Sequence, residues 1–83
     1  MKLRLLYFAW VRERIGLPRE RVETSAVTVA DLIAELKARE DRYAAAFADV
    51  SALRVALDQE LSSFAAPLAG VREVAFFPPM TGG

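Results

Sequence analysis

The end of the sequence holds the residues whose types and spacing could do chemistry. The printed chain finishes on FFPPMTGG, residues 76–83, where two prolines are followed two residues later by two glycines. A glycine has no side chain, so a narrow channel could admit the backbone of Gly82 and Gly83. The α-carboxylate of Gly83 becomes a good electrophile only after activation, for example as an acyl-adenylate. The spacing therefore predicts a reactive terminus that another enzyme activates.

The composition excludes most conventional active sites. The 83 residues include no Cys and no His, so thiolate nucleophiles, disulfides and the usual neutral-pH general base are missing. Eleven Lys and Arg residues balance eleven Asp and Glu residues, which is not the basic excess of a domain that binds nucleic acid or an anionic membrane. We expect no bound metal, no bound cofactor, no nucleic-acid partner and no membrane partner.

The first sixteen residues do not match the pattern of a signal peptide. Arg4 interrupts the short apolar run, and Arg12-Glu13-Arg14 stands where a small-residue cleavage site would be needed. No stretch approaches the roughly 20 apolar residues of a transmembrane helix. We therefore expect a cytoplasmic protein.

Hydrophobic residues make up 54% of this short chain, which is enough for one folded domain. Thr28 and Asp31 form a capping-box pattern before the clearest helix, whose apolar face is Val29, Leu32, Ile33 and Leu36. The predicted elements are a strand at 2–9, helical turns at 10–16 ended by Gly16, a charged edge strand at 19–25, the main helix at 28–40, a short helix at 41–49, a strand at 53–58, a turn and very short strand at 59–64, a loop at 66–70 and a last strand at 71–77.

The first and last strands are the most apolar, so we place them at the centre of the sheet. The predicted fold class is α+β: a β-grasp, ubiquitin-like domain with a mixed sheet of about five strands on one main helix. We assign residues 1–77 to this domain and residues 78–83 to a flexible, extended C-terminal tail.

Strand alternation also predicts a partner surface on the sheet. The face that carries the charged residues, away from the helix, also carries several apolar ones: Leu6, Phe8, Ala56, Ala75 and Phe77. If the first and last strands are parallel neighbours, Phe8 and Phe77 lie where the tail departs, and Leu61 joins them. Such a group suggests docking. The alternatives are that single exposed apolar residues are common, or that a loop covers them.

The two prolines indicate an arm rather than a frayed end. Pro78 and Pro79 cannot donate ladder hydrogen bonds, so the strand must stop there, and their fixed φ favours a stiff, extended exit. At about 3 Å per residue the arm would reach roughly 18–20 Å. We predict that Gly83 reacts while Pro78, Pro79, Met80, Thr81 and Gly82 enter a partner.

Four stretches carry a resemblance to a known family. FFPPMTGG resembles the terminus of the small, sulfur-carrying subunits of molybdopterin synthase, and this octapeptide is the most specific match. YFAWVRERIG, TVADLIAEL and DQELSSFAAPL resemble that family's first strand and turn, its helix, and its third-to-fourth strand region. The resemblance covers essentially the whole chain.

The resemblance implies a sulfur-transfer role. An E1-like enzyme would use ATP to adenylate Gly83, the adenylate would become a thiocarboxylate, and a large catalytic subunit would receive the arm. Sulfur would then pass to cyclic pyranopterin monophosphate within a heterotetramer, so the chain would be a non-autonomous enzyme subunit. By position, Phe8, Leu61 and Phe77 match the family's docking surface. Arg12 matches an arginine of partner contacts, although a solvated helix charge is an equal interpretation.

The sequence also departs from the family, and other functions remain open. Asp58 stands where Asn is expected, AGVRE at 69–73 replaces a more acidic loop, and Trp10 replaces a polar residue. The alternatives are a sulfur carrier for thiamin or cysteine synthesis, a ubiquitin-like modifier of target lysines, and an interaction module with an inert tail.

Overall fold

A computed structural model describes residues 1–79 of the chain. Its elements follow the predicted order, with one short 3-10 helix at Val50–Ala52 in addition. They are β1 (Lys2–Tyr7), α1 (Ala9–Ile15), β2 (Arg19–Glu23), α2 (Val29–Arg39), α3 (Asp41–Ala46), β3 (Arg54–Leu57), β4 (Glu60–Ser62) and β5 (Glu73–Phe77).

The five strands form one mixed sheet in the order β2-β1-β5-β3-β4. The neighbouring strands β1 and β5 run parallel, and the other neighbours are antiparallel. The apolar first and last strands therefore lie inside the sheet, and the charged β2 lies at an edge, as predicted. This α+β arrangement confirms the expected β-grasp fold.

Helix α2 covers one face of the sheet. The Thr28 hydroxyl accepts from the Asp31 amide and the Asp31 carboxylate accepts from the Thr28 amide, both at 3.2 Å, which confirms the capping box. The predicted apolar face of α2 is buried throughout. It packs on side chains from the inner strands, among which the largest fully buried are Leu3, Leu5, Tyr7 and Phe76.

The junction between β1 and α1 differs from the prediction. The strand ends at Tyr7 rather than at residue 9, because Ala9 has a left-handed backbone (φ 53°) that no strand can accommodate. The Phe8 carbonyl accepts from the amides of Val11 and Arg12 and so begins the helix. Gly16 ends α1 with φ 89°, as its position predicted.

The strands β3 and β5 are also shorter than predicted. Asp58 and Gln59 have φ of 49° and 72°, so they form the two-residue turn between β3 and β4 instead of extending β3. Strand β5 begins at Glu73 rather than at residue 71.

A polar cluster ties β1, β2 and α3 together on the helix side of the sheet. The hydroxyl of Tyr7 donates to the Glu20 carboxylate at 2.7 Å, and the hydroxyl of Tyr43 donates to the same oxygen. Burial, and then the hydrogen bond to Glu20, raise the pKa of Tyr43 to about 12. The same causes raise the pKa of Tyr7 well above its ordinary value. Both hydroxyls are therefore held in their neutral, donating form.

Candidate functional site

The candidate site is the sheet face opposite α2, which we call the open face. Alternation along each strand decides which side chains it carries. They are Lys2, Arg4 and Leu6 from β1, Arg19, Arg21 and Glu23 from β2, Glu73, Ala75 and Phe77 from β5, Arg54 and Ala56 from β3, and Leu61 from β4.

Strand register aligns four of these side chains across the sheet. Leu6 is opposite Ala75, Ala75 is opposite Ala56, and Ala56 is opposite Leu61. We call these four the apolar row. Leu61 is 72% exposed, and its assignment to a partner surface stays a prediction. Ala75 was expected on the uncovered face, but it is only 7% exposed because its methyl group lies between neighbours on both sides of the central strand.

Phe8 and Phe77 lie at the end of this face where the chain leaves the sheet. The Phe8 amide donates to the Phe76 carbonyl at 3.1 Å, which continues the parallel pairing of β1 and β5 by one residue. Phe8 is 47% exposed and Phe77 is half-buried. The structure therefore places both phenylalanines at the end of the sheet where the chain departs, as the sequence predicted.

The loop after β4 does not cover this face. Its backbone instead binds the start of α2 on the other side: the carbonyls of Phe64 and Ala66 accept from the amides of Ala30 and Val29 at 2.8 and 3.1 Å. The exposed apolar residues of the open face are thus left uncovered by residues 1–79. Within residues 1–79, no loop shields Phe8 or Leu61.

The arm begins within the described residues and continues beyond them. Pro78 and Pro79 follow β5 directly, are half-buried and belong to no strand. The other predicted arm residues lie outside the described residues: Met80, Thr81, Gly82 and Gly83. Their insertion into a partner stays a prediction.

Arg12 is exposed on α1, one turn after Phe8. Among residues 1–79 it forms none of the ion pairs of the structure. Its position leaves it available to a partner that reaches Phe8, and its assignment to the interface stays a prediction.

Asp58 has a structural role that the sequence did not reveal. Its carboxylate accepts from the amides of Arg72 and Glu73, both at 3.0 Å, and its own amide donates to the Glu73 carbonyl at 2.9 Å. The turn thereby holds the start of β5, the strand that leads to the arm. Asn would tolerate the same positive φ and offer the same acceptor, so Asp58 preserves the geometry of the expected residue.

Trp10, the other unusual residue, is part of the packing of α1. It is half-buried against the core, and the Arg14 guanidinium lies 4.5 Å from the centre of its ring. This contact is within the range of a cation–π interaction. Trp10 therefore has a structural explanation independent of a partner.

Two features are absent from residues 1–79. No helix in that range is long and apolar enough to cross a membrane. Over the same range, the acidic side chains form no group of three or more arranged to hold a metal ion.

The sequence is similar to two curated proteins over almost its whole length. It is 43% identical over 81 residues to the molybdopterin synthase sulfur carrier subunit of Escherichia coli, covering 98% of this chain and 99% of that one. It is 35% identical, with the same coverage, to the protein of that name from Haemophilus influenzae.

The fold has a counterpart among solved structures. The crystal structure of SAMP1 from Haloferax volcanii superposes with a TM-score of 0.77 over 100% of both chains, at 22% identity. That likeness supports the β-grasp assignment. A profile of the ThiS family matches residues 5–83. With the two curated relatives, this match over most of the chain establishes that the protein belongs to the ThiS family.

Proposed function

We propose that this chain is the sulfur-carrier subunit of a molybdopterin synthase. The observation that carries the proposal is the 43% identity to a curated subunit of that name, which extends over 98% of this chain. The proposal is also supported by the resemblance of FFPPMTGG, the segment that carries the proposed reactive Gly83, to the same family.

The chemistry of the proposal requires only one reactive group of this chain. An E1-like enzyme would transfer AMP from ATP to the Gly83 carboxylate and release pyrophosphate. A sulfur donor would then displace AMP, leaving a thiocarboxylate. On the large subunit that sulfur would pass to cyclic pyranopterin monophosphate, and hydrolysis would restore the carboxylate. The absence of Cys and His agrees with a division of labour in which partner enzymes supply the reactive side chains.

The open face gives the proposed carrier a means of docking. Phe8, Phe77 and Leu61 are the side chains we expect to contact the large subunit, with Arg12 beside them. Phe77 is the last residue of β5 and directly precedes Pro78, so a partner seated on Phe77 would also receive the arm. The same contact would thus fix both the body and the terminus.

The mass of the terminus tests the proposal. The chain is expressed with its activating enzyme, purified from the native host and examined by intact-mass spectrometry, with a chain lacking Gly83 as the control. We expect one terminal oxygen to be replaced by sulfur in the full chain and no such change in the control. Ladders of lysine conjugates would instead establish a modifier, and an unmodified terminus under all conditions would contradict the proposal.

A further inference from the structure

The charge of this neutral chain is unevenly distributed. Overall the basic and acidic residues balance at eleven each. On the open face, however, the register places five cations and only two carboxylates, those of Glu23 and Glu73. The cations are Lys2, Arg4, Arg19, Arg21 and Arg54. The sheet face is therefore electropositive, and the remaining surface must carry the compensating negative charge.

Three of these cations are adjacent at the β1–β2 side of the sheet. Arg4 lies directly opposite Arg21 in the antiparallel ladder, and Arg19 is two residues from Arg21 on the same face. We call Arg4, Arg19 and Arg21 the basic strip. Like charges directly opposite each other on neighbouring strands destabilise a sheet. The fold alone gives no reason for this pair.

The acidic residues nearby do not neutralise the strip. Glu73 pairs with Arg4 at 3.3 Å, whereas Arg19 and Arg21 form none of the ion pairs found in residues 1–79. The Glu20 carboxylate accepts hydrogen bonds from the two tyrosine hydroxyls on the helix side of the sheet. Two cations of the strip thus have no ion-pair partner among residues 1–79.

The surface at the strip is concave. Two shallow depressions, of about 310 and 230 Å³, adjoin there and share Arg4 and Arg21 in their linings. Arg19 and Glu20 complete the lining of the first depression, and Lys2, Leu3 and Arg72 that of the second. The Glu20 carboxylate is held by the two tyrosine hydroxyls on the helix side. A protruding carboxylate side chain could therefore approach two arginines at once.

We propose that the basic strip receives an acidic segment of the protein that covers the open face. This inference depends on the proposed function, under which that protein is the large catalytic subunit. A protein partner is favoured because the strip is continuous with the apolar row: Arg19 is directly opposite Leu6, the first residue of the row. A neutral chain with an apolar row beside its cations suits a protein surface better than a polyanion.

The strip would act mainly on the rate and orientation of docking. Complementary charges at the border of an interface steer the encounter, while the apolar centre supplies most of the affinity. Steered association slows as ionic strength rises, because the Debye length falls from about 10 Å at 0.1 M salt to about 3 Å at 1 M.

The test compares Arg21→Glu with Lys37→Glu. Both variants change the net charge equally, but Lys37 lies exposed on α2, on the other side of the sheet. Association with the large subunit is measured by stopped flow from low salt to about 1 M. We expect Arg21→Glu to slow association by about 10-fold at low salt, with the difference vanishing at high salt, and Lys37→Glu to change it little.

The stability of the free variants provides the second measurement. In Arg21→Glu a carboxylate faces Arg4, so we expect its melting temperature to equal or exceed that of the wild type. The inference would be overturned if Arg21→Glu melted at a lower temperature than the wild type. It would also be overturned if Arg21→Glu associated at the same rate as Lys37→Glu.

The outcomes also separate this inference from the proposed function. If the large subunit binds through Phe77 but without any effect of Arg21→Glu, only the basic strip is refuted. If the large subunit does not bind the wild-type chain, the proposed function fails with it. Binding of single-stranded DNA or anionic vesicles that Arg21→Glu abolishes, with unchanged docking, would assign the strip to a polyanion and refute the protein partner.

Discussion

The two faces of the sheet are built from the same strands but have different roles. Phe76 and Phe77 are consecutive in β5, yet Phe76 is fully buried among Tyr7 and Phe47, whereas Phe77 is half-buried on the open face. The helix-side face carries nearly all of the apolar packing of the fold. Substitutions there should change folding, and substitutions on the open face should change binding.

The largest expected effect comes from Phe76→Ala. Removing a buried aromatic ring should lower the free energy of unfolding by about 3–5 kcal/mol. The matched variant Phe77→Ala should lower it by much less, because Phe77 already contacts solvent. Urea denaturation of both variants measures the difference. Equal losses of unfolding free energy in the two variants would mean that the open face stabilises the fold as much as the helix-side face does.

The second prediction concerns docking through the open face. Phe77→Asp should weaken binding to the large subunit by several kcal/mol, because an unpaired charge would be buried at the contact. Isothermal titration calorimetry measures the affinity, and Val27→Asp, at an exposed apolar residue outside the open face, provides the comparison. Unchanged affinity of Phe77→Asp would show that the partner uses another surface.

A smaller effect is expected at the turn that holds β5. Asp58→Ala removes the acceptor of two backbone amides, so it should lower the free energy of unfolding by about 1–3 kcal/mol. Asp58→Asn keeps both the acceptor and the tolerance of positive φ, and should cost far less. A loss in Asp58→Asn equal to that in Asp58→Ala would show that the negative charge, rather than the hydrogen bonds, stabilises the turn.

The smallest effect appears only at alkaline pH. The unfolded chain loses its tyrosine protons near pH 10, whereas the folded chain keeps that of Tyr43 to about pH 12. The raised pKa therefore makes its full contribution to the free energy of unfolding below pH 10. The free energy of unfolding should fall as the pH rises above 10.

The control for this pH dependence is Tyr43→Phe, which removes one of the two tyrosines whose pKa is raised. Its free energy of unfolding should decrease less steeply above pH 10 than that of the wild type. Parallel curves from thermal melts between pH 8 and 12 would rule out Tyr43 as a source of the dependence.

The sequence was sufficient for features that depend on local pattern. The capping residues and apolar spacing predicted α2, and the apolar character of β1 and β5 predicted their central place in the sheet. The helix-side and open faces also followed from alternation, because side chains along a strand point to opposite sides in turn.

The features that the sequence did not reveal depend on backbone exceptions or on strand register. Ala9 and Gln59 adopt positive φ without being glycine, so the ends of β1 and β3 could not be located from residue type. The burial of Ala75 depends on both neighbouring strands. The Arg4–Arg21 pair depends on the register of β1 and β2, which a shift of one residue would destroy.

The most direct test of the central claim is deletion of Gly83. The full chain and the truncated chain are each combined with the large subunit, the activating enzyme, ATP, a sulfur donor and the pterin substrate, and molybdopterin is measured. The account predicts product from the full chain only, with the same melting temperature for both. Normal product from the chain without Gly83 would contradict it.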